Sequence, residues 1–561
     1  MTLSETGEPG TLALLPSTQS ALPQTHARVT VRRVPRLIPL FTTLAGFGLL
    51  ANTLGYLREI ALASSYGSSA ITDAFFGAAF IPNTLYLIIA AGAGAAVLVP
   101  VLVQYREQSD AQARELALTL LNLTTLVLVL LTVALTVTSS LWIRLFFPGF
   151  APSTSRLSVE LAYILNPTVI FLSVSAVLAG VLNAFGRFGA VAIAPCVGNI
   201  VTVVAVFLSV SWGGIRGAAV GVAAGALVQL AVMSWVAFSK AVPYKAQLRL
   251  RHPGLGAFAG MAAPTVAYLA VAYASVVAER IFASGFNAGA LSTLSYAMRL
   301  FVLPASIVAG SIATVLHTEF SVLASRGEMQ ELSETFRRGV DLAVLALIPV
   351  SIGALVFSRA VVALAYGYGK FSSENVETTA ATFAAYSLGI IPLAVGAICQ
   401  RLFYALRVPR MLLLIEGANL VFYLIAAPVL GRLFSLPGLA LARSCSFLLI
   451  GSLSFAVALR KLSSAYHFTS FLSQLARCVI AAVPTTVLWM TLAALLHRLE
   501  PGAVQWERLF VLASAGVLGS TLYLFVARAV RCREADNAIK EIVSGFFEAA
   551  GRIRPVKPLA S

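Results

Sequence analysis

Residues Leu116 to Ser139 read LALTLLNLTTLVLVLLTVALTVTS, twenty-four positions without a charge. As a helix this run is about 36 Å long, enough to cross a hydrocarbon core of about 30 Å. A helix of that length in a water-soluble domain carries a polar stripe along its outer face. Here the only polar groups are hydroxyls and one asparagine. Similar runs recur along the chain, and its charges gather in short clusters between them. Charged residues make up 11% of the 561 positions, against about 25% in soluble proteins. The chain therefore reads as an all-α polytopic membrane protein.

The apolar runs predict about fourteen spans, near 38–63, 72–103, 116–142, 157–183, 190–212, 216–239, 257–282, 289–316, 338–358, 378–400, 409–431, 437–459, 473–496 and 507–528. An even count puts both termini on one side, and the loop charges say which. Arg106, Arg114, Arg187, Lys240, Lys245, Arg249, Arg251, Arg337, Arg338, Arg407, Arg410, Arg460 and Lys461 fall in one set of alternate loops. The opposite loops are poorer in Lys and Arg, so the basic set and both termini are expected in the cytoplasm. Residues 1–37 read as a disordered tail ending in a basic cluster (Arg28, Arg32, Arg33, Arg36), with no cleaved-signal pattern. Residues 537–550 read either as an interfacial amphipathic helix or as a loose end to the last span.

The net charge of +16 is thus topological, and nucleic acid is not an expected partner. The five cysteines (Cys196, Cys399, Cys445, Cys478, Cys532) form no CxxC pair and predict neither a metal site nor redox chemistry. No GxxxxGK[ST], HExxH or GxSxG occurs, and no segment could house a soluble catalytic domain. That leaves transport. Membrane phospholipids surround such a chain, no cofactor is implied, and the energy source is open between the membrane potential and an ion gradient. Prolines and glycines interrupt several spans, at Pro82, Gly92, Gly94, Pro167, Pro195, Gly198, Pro264 and Pro304. Interrupted helices are common where transporters bind substrate.

Charges inside spans are costly and point to function. Arg299 lies deep in span 8 with no acidic neighbour in that span, so it needs a cavity, a partner or an anion. Arg58 and Glu59 close span 1, either as a cavity-lining anion anchor with its neighbour or as an interfacial pair. Asp73 opens span 2, as a helix cap or as a gating or ion-pair group. Glu279 and Arg280 stand together late in span 7, as a local pair or a gating group. Glu416 and Asn419 share a face of span 11, as a cation acceptor or as glue between helices. Two arginines facing water suit a phosphate-bearing substrate, because guanidinium presents a planar fork to oxyanions.

The segment LGYLREIALASSYGSSAITDAFFGAAFIPN (54–83) resembles the MurJ/MviN family, lipid II flippases of the multidrug/oligosaccharidyl-lipid/polysaccharide exporter superfamily. LNAFGRFGAVAIAPCVGNI (182–200), LSYAMRL (294–300), YGYGKF (366–371) and RLFYALRVPR (401–410) follow in family order. The resemblance implies two six-helix lobes, 38–240 and 257–459, facing each other across a V-shaped cavity. They would be joined by a cytoplasmic linker at 241–256. Two further helices at 460–530 would add a hydrophobic groove, followed by a cytoplasmic tail at 531–561. It implies that lipid II, or a related polyprenyl-linked glycan, crosses the cytoplasmic (inner) membrane by alternating access, with cell-wall synthesis proteins as partners.

By the same resemblance, Arg58, Asp73 and Arg299 match family positions, and Glu59 stands where the family has Asp. Asn52 and Tyr86 replace family arginines, Ala91 replaces a glutamate, and Met298 replaces an aspartate. Asn52 and Tyr86 can still donate hydrogen bonds to a substrate but supply no fixed charge. The chain is expected to move lipid II. The alternatives are an O-antigen or exopolysaccharide precursor, or a scaffold that transports nothing.

Overall fold

The computed structural model describes residues 37–540 apart from 409, 463–467, 500–504 and 538. The basic cluster at 28–36, most of the 537–550 stretch and the C-terminal tail lie outside the described residues. Eighteen helices follow one another: α1 (Leu37–Tyr66), α2 (Ala70–Ala93), α3 (Ala95–Gln108), α4 (Asp110–Val137), α5 (Ser139–Phe146), α6 (Pro152–Leu165), α7 (Thr168–Ala184), α8 (Phe188–Trp212), α9 (Gly214–Lys240), α10 (Pro253–Ser284), α11 (Ala290–Arg326), α12 (Met329–Val356), α13 (Ser358–Tyr366), α14 (Ser373–Ser387), α15 (Ile390–Ala405), α16 (Arg410–Lys461), α17 (Phe468–Leu499) and α18 (Gln505–Ala529).

The surplus over fourteen comes from broken spans. Gly94 is extended and separates α2 from α3. α6 passes into α7 at Asn166 and Pro167, where the Asn166 amide donates to Ser139 Oγ at 3.2 Å. α14 and α15 meet at 45°. Helix α16 is twice the length of one crossing. It reverses at Ser435, whose φ of 55° is non-helical, into two arms that touch at Leu430 and Gly438. Ten of these helices, and α6 with α7 taken as one, are long and apolar enough to cross a membrane, and the bent α14–α15 pair adds a twelfth. The second arm of α16 and the 30-residue α1 bring the crossings to fourteen. α10 begins at Pro253, four residues before the expected start of its span at 257.

Burial shows how the lobes meet. One apolar cluster is confined to residues 98–242 and another to residues 316–535. A third draws on both halves, with Leu62, Phe75 and Trp142 beside Leu291, Tyr366 and Tyr386. The two halves of the chain thus share a core at one end, where α1 turns into α2, while at the other Leu255 and Phe258 of α10 pack against the cluster of the first half.

α17 and α18 pack on α12. Trp489 donates its indole N–H to the Ala515 carbonyl at 2.7 Å. Beyond α18, the Gln474 amide clamps the Arg533 backbone from both sides, at 3.0 and 3.2 Å. Arg533 then reaches the buried Asp341 of α12 at 3.7 Å, which also pairs with Arg337 at 3.1 Å. Burying Asp341 is tolerable only with such partners. Asp341→Ala is therefore expected to speed hydrogen–deuterium exchange across residues 530–535 at least tenfold, a loss of about 1.4 kcal/mol. Exchange in α8 and α9 should not change. An apolar groove of about 590 Å3 runs between these helices and the second lobe, lined by Leu303, Pro304, Pro349, Trp489 and Tyr523 among others and reaching Tyr56 of α1.

Candidate functional site

Asn52, Gly55 and Arg58 are spaced by three along α1 and so share one helix face. Arg299 of α11 crosses to that face from the other lobe. Its guanidinium fits because residue 55 has no side chain: a Cβ there would lie 3.0 Å from Arg299 Nη2 and 3.9 Å from Asn199 Nδ2. Asn199 of α8 holds α1 in place through the Ala51 carbonyl at 3.1 Å. Arg299 is partly exposed, and among the described residues it makes neither a hydrogen bond nor an ion pair. Arg58 pairs with Glu59 at 2.7 Å and keeps 32% of its side chain exposed. Asn52 is exposed. Tyr86 sits half-buried on α2, and no described contact joins it to these three. Of the four expected cavity residues, Arg299 thus lies against Gly55, with Asn52 and Arg58 three residues to either side of it on α1.

The shared end is closed by polar contacts across the lobes. Asp73 of α2 accepts from the backbone N–H groups of Gly289 and Ser292 at 2.6 and 2.7 Å, and from Ser292 Oγ at 2.8 Å. It therefore caps the first turn of α11, a helix of the other lobe, rather than α2. A carboxylate at a helix N-terminus satisfies free N–H groups and faces the positive end of the dipole. Ser68 bonds the Gly289 carbonyl and Thr293 at 2.7 Å each, and the Lys370 N–H donates to the Ser64 carbonyl at 2.8 Å. Beneath them, Tyr56, Tyr296, Tyr366 and Phe371 form an aromatic plug beside Glu59. Asp73→Ala should weaken this closure. Labelling of a Thr293→Cys reporter by a water-soluble maleimide is expected to accelerate at least tenfold in that background. Unchanged labelling would count against a gating role.

Glu279 and Arg280 are neighbours in sequence that turn to different partners. Arg280 donates to Ser295 Oγ at 2.8 Å. Glu279 is paired with Arg443 of α16 at 3.2 Å, the side chains being 1% and 4% exposed. Tyr386 donates to Glu279 at 2.9 Å. Arg443 also donates to the Ser275 hydroxyl and carbonyl, and lies 4.1 Å from the centre of the Tyr423 ring. Glu279 already has its cation and is not open to an exchangeable ion. Glu416 accepts from Asn419 at 3.3 Å and faces Tyr268, which Gln400 contacts at 3.0 Å.

Sequence reasoning passed over Arg443, Asn199 and Ser68. Arg443 carried a visible signal, being an arginine inside the apolar run 437–459, the criterion that singled out Arg299. Asn199 and Ser68 are polar residues of a kind common in such helices, and only the fold gives them partners.

Residues 62–508 match the family described as lipid II flippase MurJ. A lipid II flippase MurJ of Burkholderia cenocepacia is 26% identical over 376 residues, 65% of this chain and 72% of that protein. A probable lipid II flippase MurJ of Rhizobium tropici is 25% identical over 517 residues, 88% and 93% of the two chains. Among solved structures, a lipid II flippase MurJ in an inward closed conformation superposes with a TM-score of 0.70 at 20% identity, covering 86% of this chain and 98% of that one. An inward-facing MATE family multidrug transporter superposes with a TM-score of 0.65 at 15% identity, over 74% and 96%. The fold is thus one that several exporters share, while the sequence match covers most of the chain: this protein belongs to the MurJ family of lipid II flippases.

Proposed function

We propose that this protein carries lipid II, a polyprenyl-pyrophosphate-linked disaccharide-peptide, from the inner to the outer leaflet of the cytoplasmic membrane for cell-wall synthesis. Its activity is transport rather than catalysis. The observation that carries this reading is the guanidinium of Arg299, which bonds no described residue and lies against Gly55 of α1, a helix of the first half of the chain. A free cation in a partly desolvated cavity is the group a diphosphate needs.

The basic end faces the cytoplasm in this reading, which places both termini there. The headgroup enters between the lobes and its diphosphate meets Arg299 beside Gly55. The polyprenyl tail stays in lipid or in the groove between α11, α12 and α18. Release requires the Asp73 cap and the tyrosine plug to part and the basic ends to close. A membrane potential negative inside favours outward movement of an anionic headgroup by about 2.3 kcal/mol per charge per 100 mV.

Asn52 and Tyr86 favour a second reading, in which another polyprenyl-linked glycan with lower demand for positive charge is carried. Depletion of the protein followed by analysis of lipid-linked intermediates separates the two. Lipid II is expected to build up in the inner leaflet. Normal export of lipid II with accumulation of a different glycan precursor would overturn the lipid II assignment.

A further inference from the structure

Cys478 of α17 and Cys532, three residues beyond the end of α18, are the one pair of free cysteines in contact among the described residues, with sulfurs 3.8 Å apart. Their approach is built rather than incidental. The Cys532 N–H donates to the Ala527 carbonyl at 2.8 Å, closing the end of α18. On either side of Cys532 the backbone is tied to α17, since Arg477 donates to the Arg531 carbonyl at 3.0 Å and Gln474 grips Arg533. The Gln474 amide also reaches Cys478 Sγ at 3.5 Å. Tyr523, which lines the apolar groove, lies beside Cys478.

We infer that Cys478 and Cys532 form an oxidisable dithiol, and that its disulfide staples α17 to the end of α18 at the foot of the groove. Hydrogen peroxide is the oxidant. The thiolate of Cys532 attacks it, giving a sulfenic acid and water. Cys478 then displaces the hydroxyl, giving the disulfide and a second water. Two thiols and one peroxide are thus consumed, and a thiol reductant reverses the step. Closing the bond needs the sulfurs to move from 3.8 Å to about 2.05 Å. Cys532 reacts first because it lies outside the helix and keeps some exposure, whereas Cys478 has none. Burial pushes the Cys532 thiol up, and contact with Cys478 and the Arg477 guanidinium oppose this. The first step is therefore slow, so the pair responds to sustained oxidant. Because Arg533 carries the same turn to Asp341 of α12, the staple also fixes both helices against the second lobe.

The test uses the full chain in lipid nanodiscs, treated with graded peroxide, alkylated, digested and mapped by mass spectrometry without reductant. A Cys478–Cys532 linked peptide is expected, removed by dithiothreitol and absent from Cys478→Ser and Cys532→Ser. In Cys478→Ser the remaining Cys532 should instead carry sulfenic or sulfinic acid, whereas in Cys532→Ser the buried Cys478 should stay reduced. Two outcomes overturn the inference: both thiols still fully alkylated at doses that oxidise a cysteine placed at exposed Ser211, or a linked peptide formed only after denaturation. Neither depends on which lipid the protein carries.

Discussion

Arg299→Ala is expected to abolish complementation of a flippase-depleted strain while leaving the protein at normal levels in the membrane. Arg299 bonds no described residue, so its loss removes little that holds the fold together. What goes is the cation at the meeting point of the lobes. Hydrogen bonds to charged groups contribute about 1.5–3 kcal/mol, so binding of an isoprenyl diphosphate should weaken roughly ten- to a hundredfold, at 1.4 kcal/mol per tenfold. Arg299→Lys should recover part of this, because it restores the charge without the planar fork. Arg58→Ala is also expected to fail in complementation, with a smaller effect on binding because Glu59 already engages Arg58 at 2.7 Å. Full complementation by both alanine variants would remove the cavity assignment.

The reason Arg299 could be found from sequence is that lipid leaves a charge few choices. The same logic made α4 legible, since twenty-four uncharged positions have one stable use. The reversal at Ser435 was legible too, because it falls in the gap between the expected spans 409–431 and 437–459, although the contact of Gly438 with Leu430 that closes it was not. The separation of α2 from α3 was legible as well, since Gly94 is one of the glycines that interrupt span 2.

At the site, the sequence marked the charged residues but not their pairing. Asp73 was expected either to cap its own helix or to act as a gating group. Its cap lies on the other lobe, 216 residues away along the chain. Nothing local to α2 encodes that distance, which arises when the lobes close. Cys478 and Cys532, read one at a time, gave no sign of their contact.

Glu279→Ala and Arg443→Ala should each destabilise the second lobe by about 3–5 kcal/mol, because each leaves its partner as an unpaired buried charge. The two side chains are 1% and 4% exposed, so water cannot take the missing partner's place. Glu279→Ala also strips Tyr386 of its acceptor and leaves Arg443 with only the Ser275 oxygens and the Tyr423 ring. Either single variant should lower the thermal midpoint in detergent and reduce the folded fraction on gel filtration. The double variant Glu279→Leu/Arg443→Met removes both charges and keeps apolar volume, so it should recover most of the lost stability. Stability in all three variants equal to wild type would falsify this account of the contact between α10 and α16. Transport by the double variant then separates two roles. If the pair only joins the helices, a stable double variant flips lipid normally. If α10 must slide on α16 for the lobes to open, replacing the charge pair with apolar packing leaves the fold intact and changes the rate. α10 is well placed for that second role, since it packs on α16 within its own lobe and on α2 and α3 of the other.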